Sequence, residues 1–290
     1  MATLLDFRRR IRSVKNTQQI TRAMKFVSAA RLRRAQEAAL AARPYAKELA
    51  RVLRSIMTRI ESPEHPLLEK RPEERILGIV LAGERGLAGA FNANILKEAM
   101  KFFGSKKGKK LVVIPVGKKS RDALRKAGFE IAAEYVNVLA RVDLGVAQEI
   151  AKVVTELYAE DKVDAVYIIF SEFKNVLAPN LITEKLLPIE KIEESGEPGK
   201  GPEALVDYIY EQPPHVILDR LLPRYAETEI LRALLESSAA EHAARMTAME
   251  AATNNAGEVI EGLTLHMNKV RQAAITKEII EIVSGAASTA

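Results

Sequence analysis

Two rhythms alternate along this chain. Over residues 1–60, and again from Pro213 onward, apolar side chains recur at helical spacing, whereas the stretch between them consists of short β-branched runs separated by amphipathic segments. At the N-terminal end the helical sets are Leu4, Phe7, Ile11, Val14 and Tyr45, Leu49, Val52, Ile56. The only breaker in this region is Pro44, and there is no Gly, which predicts one very long helix that Pro44 bends. Thr3 is placed to cap it, and Asp6 suits the positive end of its dipole. At the other end Met246, Met249, Thr253, Ala256, Ile260, Leu263, Met267, Val270 and Ala274 keep an unbroken three-then-four spacing. A repeat held at 3.5 residues imposes left-handed supercoiling on a partner helix. A helix from Arg224 to Ser284 would be roughly 90 Å long, beyond what a domain with a radius of gyration near 14 Å can cover. The N-terminal helix is about as long, so the two ends are expected to wind around each other as an antiparallel coiled coil, with Pro223 as a bend.

The middle of the chain reads differently. Strands are predicted at Ile76–Leu81, Leu111–Val116 and Val163–Phe170, alternating with helices near 87–103, 120–127 and 143–160. That alternation implies a Rossmann-like α/β sheet with parallel pairs covered by helices. Leu181–Ile189 and Ala204–Tyr210 are expected as further strands, residues 193–202 as a mobile loop, and residues 61–72, with three prolines, as a linker. The predicted organisation is therefore a coiled-coil helix over 1–60, a central α/β domain over 61–212 and a second coiled-coil helix over 213–290.

Charge sharpens this division. The chain's net +6 conceals a first segment, residues 1–60, with 15 Lys and Arg against 3 Asp and Glu, while the rest holds 29 against 35. A +12 arm thus sits on an acidic remainder. The absence of Cys excludes disulfide frameworks, thiolate metal sites and a thiol nucleophile. The longest apolar runs fall well short of the roughly 20 residues that span a bilayer, and no secretory leader is expected at the N-terminus.

Candidate chemistry is thin. Gly83-Glu84-Arg85-Gly86-Leu87-Ala88-Gly89 lies where a strand meets a helix, but its spacing matches neither the dinucleotide fingerprint nor the phosphate loop, and a tight turn is the better reading. Gly117-Lys118-Lys119-Ser120 also follows a strand yet lacks the upstream Gly of a phosphate cradle. His65, His215, His242 and His266 are isolated, Glu241 and His242 point about 100° apart on a helix, and no nucleophile elbow occurs. The basic helix could follow nucleic-acid phosphates or face an acidic protein; Phe26 alone among residues 8–44 is aromatic, too little for a single-strand stacking platform. Residue physics leaves a duplex-binding reading and a protein-partner reading both open.

The segment Ile11 to Lys25, I-R-S-V-K-N-T-Q-Q-I-T-R-A-M-K, then Arg33-Arg34-Ala35-Gln36, the stretch A-R-M-T-A-M-E-A-A-T-N-N-A from Ala244, and N-K-V-R-Q-A-A-I-T-K-E from Asn268 closely resemble the gamma subunit of bacterial F-type ATP synthases. The central R-G-L-A-G-A-F-N from Arg85 is similar to that family's R-G-L-C-G-G-F-N, with Ala88 and Ala90 replacing Cys and Gly. The resemblance implies a rotor shaft with no catalytic, cofactor or metal site of its own, ATP or ADP and Mg being bound by the alpha and beta subunits. Implied partners are the alpha/beta hexamer, the epsilon subunit and the membrane c-ring, one copy per complex, with no nucleic acid, at the cytoplasmic face of the cell membrane. By the same resemblance Met24, Lys25, Arg31, Arg33 and Arg34 would meet an acidic beta loop. Arg271, Gln272, Thr276 and Glu278 would form a catch on one beta subunit, and the apolar tail from Ile279 would enter an apolar sleeve.

Overall fold

The computed structural model describes residues 3–58, 65–174, 180–189 and 212–289, with the backbone alone at 214 and 285–289. The strand expected over 204–210 and the loop expected over 193–202 lie outside the described residues. Two helices frame the chain, α1 (Leu4–Met57) and α5 (Pro214–Thr289), each continuous through its internal proline, Pro44 or Pro223. Contacts divide the molecule into two compact units, Met1–Ser28 with Arg245–Ala290, and Ala29–Ala244. Both divisions cut through the long helices, whereas the breaks in composition lie near residues 60 and 213.

The larger unit is built on a five-stranded sheet in the order β3-β2-β1-β4-β5. Its strands are β1 (Arg75–Leu81), β2 (Lys110–Val116), β3 (Glu130–Ile131), β4 (Ala165–Glu172) and β5 (Asn180–Leu187). Both β2 and β4 pair with β1 in parallel, placing Ile114 and Ile168 beside Ile79, and β5 closes the edge antiparallel to β4. The central strands bury nearly every residue, as parallel strands covered on both faces must. Helices α2 (Phe91–Ser105) and α3 (Lys118–Lys126) lie against one apolar cluster with Val80, Val113 and Ile169. Helix α4 (Leu144–Ala159) joins Leu49, Leu53 and Ile56 of α1 and Leu218, Leu222 and Ile230 of α5 in another. Asp143 caps α4 by accepting from the Gly145 amide. The two-residue β3 is the one described strand that the apolar pattern does not predict.

The smaller unit is a two-helix arm. Its start matches the expected cap: the Thr3 amide and hydroxyl donate to Asp6, and the Asp6 amide donates to the Thr3 hydroxyl at 3.3 Å. The two bonds that Thr3 donates, the amide's first, hold the Asp6 carboxyl below its usual range. Between the helices Phe7 stacks on His266 at 5.0 Å, the Thr21 and Thr253 hydroxyls bond at 2.8 Å, and Lys25 reaches Glu250 at 2.5 Å. Partners advance along α1 as they recede along α5, so the pairing is antiparallel. All nine residues of the three-then-four series from Met246 to Ala274 are shielded from solvent to some degree, Met249 and Ala256 most deeply.

The α1 stripe differs from the expected one in two places. Tyr45 is exposed and Ala46 takes its heptad position at 8% exposure, because an Ala-rich contact admits the small side chain and turns the ring outward. Between Val14 and Leu32 the same spacing continues through Gln18, Thr21, Lys25 and Ser28, all shielded although polar.

Candidate partner-contact surface

Neither glycine turn offers a free anion seat. In an open α/β sheet a ligand crevice opens beyond the carboxyl ends of the strands where the strand order reverses, which here lies between β1 and β4. Helix α5 lies across that place. Glu236 accepts the Phe173 amide just past β4 at 2.9 Å, and a Cβ on Gly83, just past β1, would come within 2.9 Å of the Glu241 carboxyl. Burial pushes the Glu236 carboxyl up. The Gly83 amide donates to Asn92 at 2.8 Å, and Leu87 and Gly89 adopt positive φ, so the G-x-x-G-x-x-G segment is a strand-to-helix turn. At the second turn Glu84 accepts the Lys118 amide at the start of α3, and the buried Ser120 hydroxyl donates to the Val116 and Gly117 carbonyls. A carboxylate of the chain itself thus occupies the α3 terminus where a phosphate would bind.

Gly117 is required there. Its φ is +96°, and a Cβ would fall 1.9 Å from the Ala82 carbonyl oxygen. Among the described residues no group of three or more His, Asp or Glu is placed to hold a metal ion. No described helix is long and apolar enough to cross a membrane.

Charge and exposed apolar area instead concentrate on the helices. In the arm Arg8, Arg9, Arg10, Arg12, Lys15 and Arg22 are all exposed. Lys25 is not one of this outward set: it stands in the heptad seam, its side chain one-third exposed, with its ammonium on Glu250. Met24 beside it is half-buried. In the larger unit Arg31 and Arg34 are exposed one turn apart, and Arg33 is held by Glu37 at 2.9 Å. The exposed Ile20, Phe26 and Val27 of the arm escaped the sequence reading as contact residues, although apolar side chains lying off a heptad seam are a legible signal.

Arg271, Gln272, Thr276 and Glu278 are exposed too, but they do not form one patch. At about 100° per residue, Arg271 and Glu278 share one stripe, and Gln272 and Thr276 share another roughly 120° away. The Thr276 hydroxyl is engaged locally, donating to the Gln272 carbonyl at 3.0 Å. Continued at the offset of the pairs above, Leu4 lies near Val270, so α1 ends before α5 does. Every described side chain from Ile275 to Ser284 is exposed, among them Ile279, Ile280, Ile282 and Val283 at 55 to 71%.

A Rossmann-like domain whose ligand crevice its own helix covers, and an antiparallel arm whose apolar side chains beyond Ala274 are exposed among the described residues, define a structural rather than a ligand-binding architecture. Comparison with known proteins gives the family. A family profile described as ATP synthase matches residues 3–289. The ATP synthase gamma chain of Solibacter usitatus is 49% identical over 292 residues, covering 99% of both chains. That of Pelotomaculum thermopropionicum is 48% identical over 288 residues, with the same coverage. Among solved structures, a chain of the Euglena gracilis mitochondrial ATP synthase OSCP/F1/c-ring complex has a TM-score of 0.68 at 19% identity, covering 99% of this chain and 94% of that one. A chain of the Tetrahymena thermophila mitochondrial ATP synthase central stalk and c-ring has a TM-score of 0.59 at 23% identity, covering 80% and 99%. The protein belongs to the ATP synthase gamma chain family.

Proposed function

We propose that this chain is the central rotor shaft of a proton-translocating F-type ATP synthase. It couples ion flow through the membrane c-ring to ATP synthesis or hydrolysis in the alpha/beta hexamer by rotation. The observation that carries the reading is the end of α5, where exposed Ile279, Ile280, Ile282 and Val283 have no partner helix among the described residues beyond about Ala274, on a chain that matches gamma chains over 99% of its length.

A shaft without threefold symmetry presents a different face to each of three chemically identical sites, and so holds them in different states. ATP or ADP and Mg are bound by the alpha and beta subunits, and this chain supplies no catalytic group. The exposed arginines of the arm face an acidic beta loop through contacts of about 0 to 1 kcal/mol each, weak enough to slide past one another. Arg31, Arg33 and Arg34 extend that track, while Lys25 serves it by holding the two helices together. Arg271 with Glu278, and Gln272 with Thr276, grip a beta subunit from two sides of α5. The epsilon subunit and the c-ring engage the larger unit, one copy of the chain serves each complex, and the complex works at the cytoplasmic face of the membrane. This reading assigns the +12 segment to a protein partner, in place of the duplex nucleic acid that composition alone leaves open.

Expressed with alpha and beta subunits, the chain is expected to co-purify as one copy per hexamer. A chain that stays free while the hexamer forms without it overturns the proposal. Within the complex, Arg271→Ala or Gln272→Ala is expected to lower ATP turnover with the isolated chain still folded; unchanged rates in both variants remove the assigned catch.

A further inference from the structure

The acidic average of the central segment conceals a second basic block. Residues 97–126 hold 11 Lys and Arg against 2 Asp and Glu, whereas the rest of residues 61–213 holds 11 against 23. The fold places most of this block on one side of the larger unit, with Lys118 and Lys119 at the far end of β2 from the α2–β2 turn. Helices α2 and α3 pack on the same apolar cluster, the turn joining α2 to β2 carries Lys106, Lys107 and Lys109, and Lys110 opens β2.

Some of these charges are neutralised locally: Lys106 by Glu73 at 2.7 Å, Lys110 by Glu130 at 3.3 Å and Arg125 by Glu134 at 2.7 Å. Lys97, Lys107, Lys109, Lys118, Lys119 and Lys126 are exposed and form no ion pair among the described residues. All six are lysines.

We infer that this lysine face is a docking surface for an anionic membrane, attracting lipid headgroup phosphates electrostatically. The inference rests on the rotor reading, which places the larger unit beside a membrane ring. Three features favour a lipid surface over a protein partner. Protein interfaces are enriched in Arg and aromatic anchors and depleted in Lys, yet every unpaired charge here is Lys. No large apolar side chain between Leu87 and Val136 is among the exposed ones, so the face offers no anchor for a protein pocket. Compact, hydrated ammonium groups spread over a helical face suit diffuse attraction to a charged plane, which yields about fivefold in affinity per Lys near an anionic leaflet. A rotor needs such a contact to be non-specific, because a fixed headgroup site would stall it.

The test is sedimentation of the full chain with phosphatidylcholine vesicles containing or lacking 30% phosphatidylglycerol. The parent carries Arg9→Gln, Arg10→Gln and Arg12→Gln, so that the arm does not dominate binding. Adding Lys107→Gln, Lys109→Gln and Lys126→Gln is expected to weaken binding to the anionic vesicles by roughly 100-fold, with no binding to phosphatidylcholine alone. The matching Lys→Arg substitutions are expected to retain binding. Circular dichroism checks the fold, and Lys109→Gln alone, with an expected loss of about fivefold, serves if the triple variant is unstable. Vesicle binding unchanged by the Lys→Gln set, or not retained by the Lys→Arg set, overturns the inference. So does a 30-base-pair duplex DNA that binds the lysine face more tightly than the vesicles do. Failure of the rotor reading registers separately, in the co-purification with alpha and beta subunits.

Discussion

The sheet and the arm hold together by different means. In the larger unit Ile79, Ile114, Val166 and Phe170 are fully buried, and apolar area removed from water, at about 25 cal/mol per Å², dominates its stability. In the arm the heptad seam runs apolar from Leu4 to Val14 and then polar through Gln18, Thr21, Lys25 and Ser28. What joins the helices there is the Thr21–Thr253 hydroxyl pair, the Gln18 side chain on the Thr253 carbonyl at 3.3 Å, and the Lys25–Glu250 ion pair. A polar seam costs stability and fixes alignment. The larger unit is thus held by dense apolar packing and the arm by individually weak contacts, and substitutions in the two regions should differ several-fold in effect.

The largest effect is expected in the sheet. Phe170→Ala, which empties the space of a fully buried ring, should cost about 4 kcal/mol in urea unfolding. Gly117→Ala should cost about 3 kcal/mol, since the new Cβ overlaps the Ala82 carbonyl and φ is positive. A loss under 1 kcal/mol in either would mean that the larger unit is not the more tightly packed of the two.

Next comes acid. Burial of Glu73 would raise its pKa, but Lys106, Tyr167 and Lys185 together overcome that and bring it down to about 2. The carboxylate is therefore favoured in the folded chain: the stability it contributes is full above about pH 4.5 and is lost as pH falls from there toward 2. Its size is of the order of 3 kcal/mol at neutral pH. Glu73→Gln should flatten the acid limb of a stability profile between pH 5 and 2, and an unchanged limb would show that this carboxylate is not involved.

How much of this was legible follows from what each region buries. Strands β1, β2 and β4 announce themselves as β-branched runs because both faces of the sheet are covered. The α5 seam is readable because eight of its nine positions from Met246 to Ala274 are apolar, Thr253 being the exception. Gln18, Thr21, Lys25 and Ser28 occupy the same geometric row, but a hydrophobic pattern cannot register polar residues; Lys25 is a partner contact by family resemblance, and its place on Glu250 is visible only in the fold. In the Ala-rich stretch around Tyr45 the apolar scale barely separates the two faces of the helix, which is why Ala46 displaces Tyr45. The covering of the β1–β4 crevice was illegible for a different reason: residues 236–241 reach Gly83 and Phe173 only through tertiary packing. The lysine face was lost to averaging, 30 residues of one sign inside a segment of the other.

The smallest effects belong to the arm and test the comparison most finely. Thr21→Val removes the cross-helix hydroxyl pair but leaves Thr253 bonded to the Met249 carbonyl at 2.7 Å, so no buried donor is stranded. The loss should be about 1 kcal/mol or less, and Thr21→Val with Thr253→Val should recover most of it, because two methyl groups then meet in the seam. Lys25→Ala should cost about 0.2 to 1 kcal/mol, the ion pair being one-third to one-half exposed, and the cost should shrink in 1 M salt. The readout must be local, since global unfolding reports the sheet: hydrogen exchange of α1 amides 14–28, compared with those of Ile79 and Ile168. Faster exchange confined to the arm fits weak alignment contacts. A loss above 2 kcal/mol for either single variant, or protection lost equally in both regions, would make the polar row part of the structural core and erase the distinction.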